Sequence, residues 1–183
     1  MKLSGVGNYG ELKVERRLKL FIDKEDVILE NLLLPDGSGT TEIDKVIISK
    51  KGIFCVESKY WGGYISGGNV GDWIQTTFYD GCKKQRKLHN PVIQNQGHIK
   101  ALDKIFNGDY PIFNVVFLVG FTKCSADSEY VFDVKRFVNF YKNLNDVISE
   151  DEVKYILSVL KPFEASKEQL EEHAEKIKRK RSN

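Results

Sequence analysis

The 183-residue chain predicts an α/β sandwich, a central mixed β-sheet flanked by helices, with a helical C-terminal extension. Three observations predict it. Short runs rich in β-formers at 27–34, 46–49 and 52–56 are broken by turn residues, and a continuous apolar run follows at Ile112 to Val119, the pattern of a strand covered on both faces. Helical apolar spacing occupies 8–22 and 91–106, on either side of the first strands. The last third carries two capping-box signatures in succession. The boundaries follow as 1–145 for the α/β domain and 146–183 for the extension, packed on the domain or trailing from it.

The first helix should start near Asn8 and reach about Ile22, with Leu12, Leu18, Phe21 and Ile22 among its apolar positions. Asn8 and Glu11 have the spacing of an N-cap and its reciprocating acid. The same spacing also allows Glu11, flanked by Gly7 and Gly10, to point into an acidic site. Val27 to Leu34 reads as a strand ended by the Pro35-Asp36-Gly37-Ser38-Gly39 cluster. A hairpin over Val46 to Val56 comes next. Tyr60 to Gly68 and Gly71 to Phe78 then read as short strands bent by glycine. Their aromatics suit either stacking on bases or covering the open end of a sheet, the second being favoured for Trp73.

Asn90-Pro91 opens a helix to about Phe106, with proline in its first turn. Ile93, Gly97, Ala101, Leu102 and Ile105 form its apolar stripe, and Gln94 and His98 lie one turn apart beside it. A glutamine there can orient water, bond a phosphate, or simply be solvated. Tyr130 to Val134 reads as an edge strand. Ser149 to Glu152 and Ser166 to Gln169 cap the last two helices, with Pro162 between them. His173 reads as solvated and His89 has no evident partner; no Ser-His-Asp or Cys-His arrangement is legible.

The hairpin carries the chemistry. Closed at Lys50-Lys51, its register sets position 48 opposite 53 and so Asp44 opposite Glu57, and alternation sends Lys59 to the same face. Like charges directly opposed on a sheet destabilise it, and a divalent cation would relieve them, since hard ions are held by one or two carboxylates with water and phosphate oxygens. Lys59 would then reach an attacking water or the developing phosphate charge. The plainer reading is a solvated hairpin in which Glu42 faces Lys59 as an ordinary cross-strand ion pair.

Composition narrows the classes. Charged residues make up 30% and apolar ones 41%, an ordinary globular balance. A net charge of +2 argues nothing for nucleic acid by itself, so a basic surface must come from local clusters. Two exist, Lys83-Lys84-Gln85-Arg86-Lys87 and Lys176-Ile177-Lys178-Arg179-Lys180-Arg181. Either can follow a phosphate backbone, although the second is more simply a solvated helix end. Cys55, Cys82 and Cys124 form no C-x-x-C pair and fit reduced thiols of a cytoplasmic protein. No apolar run approaches the roughly 20 residues of a membrane span, so no membrane role is expected, and Met1 to Gly5 lacks an apolar signal core.

Gly7-Asn8-Tyr9-Gly10-Glu11, Thr41-Glu42-Ile43-Asp44, Gly52 to Lys59 with Trp61-Gly62-Gly63, Trp73, and Asn90-Pro91-Val92-Ile93-Gln94 resemble the successive blocks of the nuclease-related domain (NERD) family. That family is grouped with the PD-(D/E)XK, restriction-endonuclease-like superfamily. The resemblance covers roughly residues 5 to 120. It implies a restriction-endonuclease-like sandwich and a metal-dependent nuclease that hydrolyses DNA phosphodiester bonds. Asp44 and Glu57, with Glu11, would bind Mg²⁺ or Mn²⁺, while Lys59 would position water or stabilise charge. Gln94 matches the family's glutamine on the later helix. Lys83, Lys84, Arg86 and Lys87 are weaker candidates for nucleic-acid contact. DNA is the implied partner, with RNA also open, and there is room for a homodimer and for a separate helicase or other DNA-processing partner. Ser58 departs from the small apolar residue usual within E-x-K, and the helicase, kinase and zinc-ribbon domains that accompany the family are absent from this sequence. The competing class is a catalytically inactive nucleic-acid-binding or assembly module on the same fold.

Overall fold

A computed structural model describes residues 22–37, 39–120 and 122–182; the expected first helix and Glu11 lie outside them. Three antiparallel strands come first, β1 (Val27–Pro35), β2 (Thr40–Ser49) and β3 (Gly52–Tyr60). The β2–β3 hairpin has the expected register, with Ile48 opposite Ile53. Next come β4 (Gly63–Gly68), β5 (Trp73–Tyr79) and β6 (Cys82–Leu88), then helix α1 (Pro91–Phe106) and strand β7 (Ile112–Val119). β3 and β7 pair in parallel, which requires a crossover, and the stretch from β4 through α1 supplies it. Strands β8 (Thr122–Asp127) and β9 (Val131–Phe132) lead to α2 (Val134–Lys142), α3 (Glu150–Leu160) and α4 (Lys167–Ser182).

The strands form two mixed sheets, one ordered β1-β2-β3-β7-β9 and a second ordered β6-β5-β4-β8. In the five-stranded sheet, alternation divides the apolar side chains between two cores. Val46, Ile48, Ile53 and Cys55 meet Ala101, Leu102 and Phe106 of α1 together with Ile156 and Leu160 of α3. Ile47, Phe54, Val56, Val115 and Phe117 meet Phe137 and Tyr141 of α2 on the opposite face. The sheet is thus sandwiched between helices, as expected. Trp73 and Ile65, with no exposed surface, join Val92 and Val116 and tie the second sheet to this body. Trp73 lies so close to Gly67 that a Cβ there would come within 2.3 Å of the indole, so this contact requires glycine. Trp73 has the structural role expected of it.

Helix α1 begins where Asn90-Pro91 indicates: the Asn90 side chain accepts from the amides of Val92 and Ile93. The Ser149 capping box is complete, and Ser166 and Gln169 exchange the same reciprocal bonds. A short 3₁₀ turn at Lys161–Phe163 separates the two helices at Pro162. Among the described residues, no helix is long and apolar enough to cross a membrane.

The structure also departs from expectation. The four-stranded second sheet was not expected as a unit, because Lys83 to Lys87 reads as a charge cluster and proves to be strand β6, joined to β5 through Asp80-Gly81. Both turn residues have positive φ, 47° and 75°, as a tight hairpin turn requires. Helix α2, capped by Asp133, and strand β8 were likewise missed. His173 is buried rather than solvated, its Nδ1 lying 3.0 Å from the Thr40 hydroxyl.

Candidate active site

The acidic pair sits at the C-terminal end of β3, on the sheet face that α1 covers. The β1–β2 register passes from Glu30 opposite Lys45 to Leu32 opposite Ile43, skipping Asp44, and the β2–β3 register stops at Lys45 opposite Val56. Asp44 therefore has no ladder partner on either side. Asn31, across from it, has φ 55° and turns its carbonyl to Ala165 N, 3.0 Å away. The Asp44 carboxylate takes the place of the missing ladder bond by accepting from Ser58 N at 3.2 Å. Strict alternation predicted Asp44 facing Glu57 as one more rung. The acids do come together, but at a break in β2 rather than inside a regular hairpin. Glu42, expected across from Lys59, is paired with Leu33 of β1.

Glu57 is fully buried. Its Oε1 pairs with Lys59 Nζ and accepts from Gln94 Nε2 at 3.1 Å. Among the described residues its Oε2 has no hydrogen-bond partner, and His98 Nδ1, itself buried and unpartnered among them, lies 3.6 Å away. Burial, and next the neighbouring Asp44 charge, push the Glu57 carboxyl up to about 7, against the pull of Lys59. Burial also raises Asp44, with Lys59 opposing it. The His98 imidazole is driven down to about 4 by burial and by the Lys59 charge, so it is neutral at pH 7.

A buried carboxylate oxygen without a donor is costly, and a second carboxylate beside it raises the cost. Hard oxygen donors, one of them unsatisfied, fit a divalent cation. Among the described residues, no third His, Cys, Asp or Glu completes a three-residue metal-binding group, and Glu11, the remaining sequence candidate, lies outside them.

Helix α1 is registered over the site by a buried amide. Asn95 Nδ2 donates to Cys55 O at 2.8 Å and to Asn114 Oδ1 at 2.7 Å, the Cys55 thiol donates to Asn95 Oδ1 at 3.0 Å, and Asn114 Nδ2 donates to Val92 O at 3.1 Å. This network ties α1 to β3 and β7 between Gln94 and His98. Asn95→Leu is expected to destabilise the protein by about 2 kcal/mol or more, because buried acceptors lose their donor. Urea denaturation checks it, and an unchanged midpoint would mean the network contributes nothing to stability.

The sequence candidates Asp44, Glu57, Lys59 and Gln94 thus converge on one point. Lys83, Lys84, Arg86 and Lys87 lie instead on β6 in the second sheet. The weight of His98 was not legible as more than proximity to Gln94. Asn95 was missed, although its place one residue after Gln94, on the buried side of α1, was a usable signal.

The nuclease-related domain model matches residues 6–119, more than half of the chain. The chain belongs to the nuclease-related domain family. Placement in the restriction-endonuclease-like superfamily is consistent with the mixed α/β fold, and the function of this NERD protein is nuclease-related. It is also similar to an uncharacterized protein of Bacillus anthracis, at 30% identity over 160 residues, covering 82% of this chain and 73% of the relative. No solved structure shows a significant match. The matched segment spans β1 to β7, and with them every element that positions the four convergent side chains.

Proposed function

We propose that this NERD chain is a metal-dependent nuclease that hydrolyses phosphodiester bonds in DNA, with Mg²⁺ or Mn²⁺ held by Asp44 and Glu57 and with Glu11 as a further ligand. The observation that carries this reading is the buried Glu57 carboxylate, half satisfied, with Asp44, Lys59 and Gln94 gathered on it. A divalent ion bound there supplies Lewis acidity toward a phosphoryl oxygen and activates water.

The chain's own residues do the rest. The ion pair with Glu57 holds the Lys59 ammonium, only 25% exposed, where it can hydrogen-bond water or offset phosphate charge in the transition state. Gln94, on the rigid first turns of α1, fixes the Glu57 rotamer through Oε1 and has a carbonyl to orient a water. Neutral His98 places an uncharged ring against Oε2, so the acidic pair keeps its full charge when deprotonated. Lys83, Lys84, Arg86 and Lys87 are proposed to contact the nucleic-acid backbone. The compartment is proposed to be the cytoplasm; a homodimer or a separate helicase or other DNA-processing partner fits the same reading.

The test is cleavage of supercoiled, linear and single-stranded DNA in Mg²⁺, Mn²⁺ or EDTA, with RNA in parallel. Cutting that EDTA abolishes is expected. No cutting of any substrate would favour the binding-module class. Lys59→Met should lower turnover by about 100-fold, measured on folded protein; parental turnover would remove the lysine from the mechanism.

A further inference from the structure

Around Ile65 and Trp73 the second sheet turns one face into the core, while strand β6 is exposed on both faces from Cys82 to Lys87. Ile65 and Trp73, both without exposed surface, define the inner face. Alternation and register then assign the outer one. Tyr64 lies opposite Thr76 and beside Lys123, and Phe78 lies opposite Lys83, with Gln85 and Lys87 following along β6. Phe78 is 71% and Tyr64 42% exposed. Among the described residues, no hydrophobic cluster includes this face. Its strands carry no acidic side chain there from Tyr64 to Lys87. Asp80 sits in the hairpin turn, and Asp72 and Asp127 stand at the other end, Asp72 within 3.6 Å of Lys87. The pleat also divides the basic cluster: Lys84 and Arg86 point to the opposite face, where Arg86 Nε donates to Gln75 Oε1.

We infer that this outer face is a stacking platform for single-stranded nucleic acid. Two exposed aromatic rings on adjacent strands, diagonal to one another, are flanked on both sides by lysines. Diagonal neighbours on a sheet face are roughly 7–8 Å apart. Bases stack on such rings whatever their sequence while cations track the backbone; in a duplex the bases already stack on each other and offer no free face. Tyr64 follows Lys59 by five residues, at most about 18 Å of extended chain, so a strand held on the platform reaches the acidic pair within a few nucleotides. The inference deepens the nuclease reading by naming single strands, or single-stranded ends of duplexes, as substrate.

The test is fluorescence anisotropy of labelled single-stranded and duplex oligonucleotides of equal length, in EDTA, with the full chain. The parent should bind the single strand more tightly. Phe78→Ala and Tyr64→Ala should each weaken that binding roughly five-fold or more. Tyr79→Ala is the control: Tyr79 is 70% exposed but on the opposite face, and its loss should leave affinity unchanged. Tighter duplex binding, or equal effects of Phe78→Ala and Tyr79→Ala, would overturn the platform even if metal-dependent cutting is found. Loss of nuclease activity in every assay, with the single-strand preference and the Phe78 effect intact, would overturn the nuclease reading and leave the platform standing.

Discussion

Glu57→Gln is expected to lower metal-dependent cutting by about a thousand-fold or more, the scale of losing a preorganised charged group, while the protein stays folded. The amide is isosteric. It keeps an oxygen for Lys59 and Gln94, and its NH₂ can face His98 Nδ1, which accepts in the Nε2–H tautomer. What it loses is the negative charge that cation binding requires. Asp44→Ala should abolish cutting as well, with a small change in stability: the Ser58 N–H loses its acceptor, while relief of repulsion on Glu57 acts the other way. Calorimetric titration with Mn²⁺ should show weakened binding in both variants. Parental cutting by either variant would exclude that carboxylate from the reaction.

The second large effect is on stability as a function of pH. The Glu57 carboxyl is raised from 4.5 to about 7 in the folded state. The folded protein therefore holds this proton more tightly than the unfolded chain. The resulting stability is fully present below about pH 4.5 and is lost as pH rises through 7, a span of about 3 kcal/mol at most. Asp44, raised in the same sense, adds to it. His98 opposes it, because an imidazole lowered from 6.5 to about 4 gains stability as pH rises between those values. The Glu57 and His98 contributions are similar in size and opposite in sign, so His98 flattens the profile of the parent in EDTA.

The difference between Glu57→Gln and parent isolates the carboxylate. It should be near zero at pH 4.5 and reach about 3 kcal/mol in favour of the variant by pH 8. Urea midpoints in EDTA across that range measure it. A difference independent of pH would mean that Glu57 is not held against ionisation.

Much of this was legible in the sequence because it rests on local rules. The Lys50-Lys51 turn and alternation placed Asp44 near Glu57, and Asn90-Pro91 located α1 to the residue. What was not legible depends on contacts between segments far apart. Nothing in Thr41 to Asp44 announces that β2 leaves both its ladders at Asp44, where Asn31 of β1 turns its carbonyl toward the distant Ala165. Helix α2 and strand β6 are a different matter. Asp133 before Val134, Phe137, Val138 and Tyr141, and Asp80-Gly81 between two β-rich runs, were available signals, passed over because an apolar pair next to Asp133 and a lysine run suggested other structures.

The parallel pairing of β3 with β7 also orders the assembly of the centre in time. Asp44 and Glu57 lie just beyond the last rung, Lys45 opposite Val56, of a hairpin closed by a two-residue turn, a structure that forms in microseconds. Gln94 and His98 reach them only when a crossover of more than fifty residues between β3 and β7 has closed, and such non-local pairing is slow. The acids therefore meet before the amide and imidazole that enclose them. In a chain whose hairpin has formed and whose α1 has not yet docked, the two acids would face water instead of the Gln94 amide and the His98 ring.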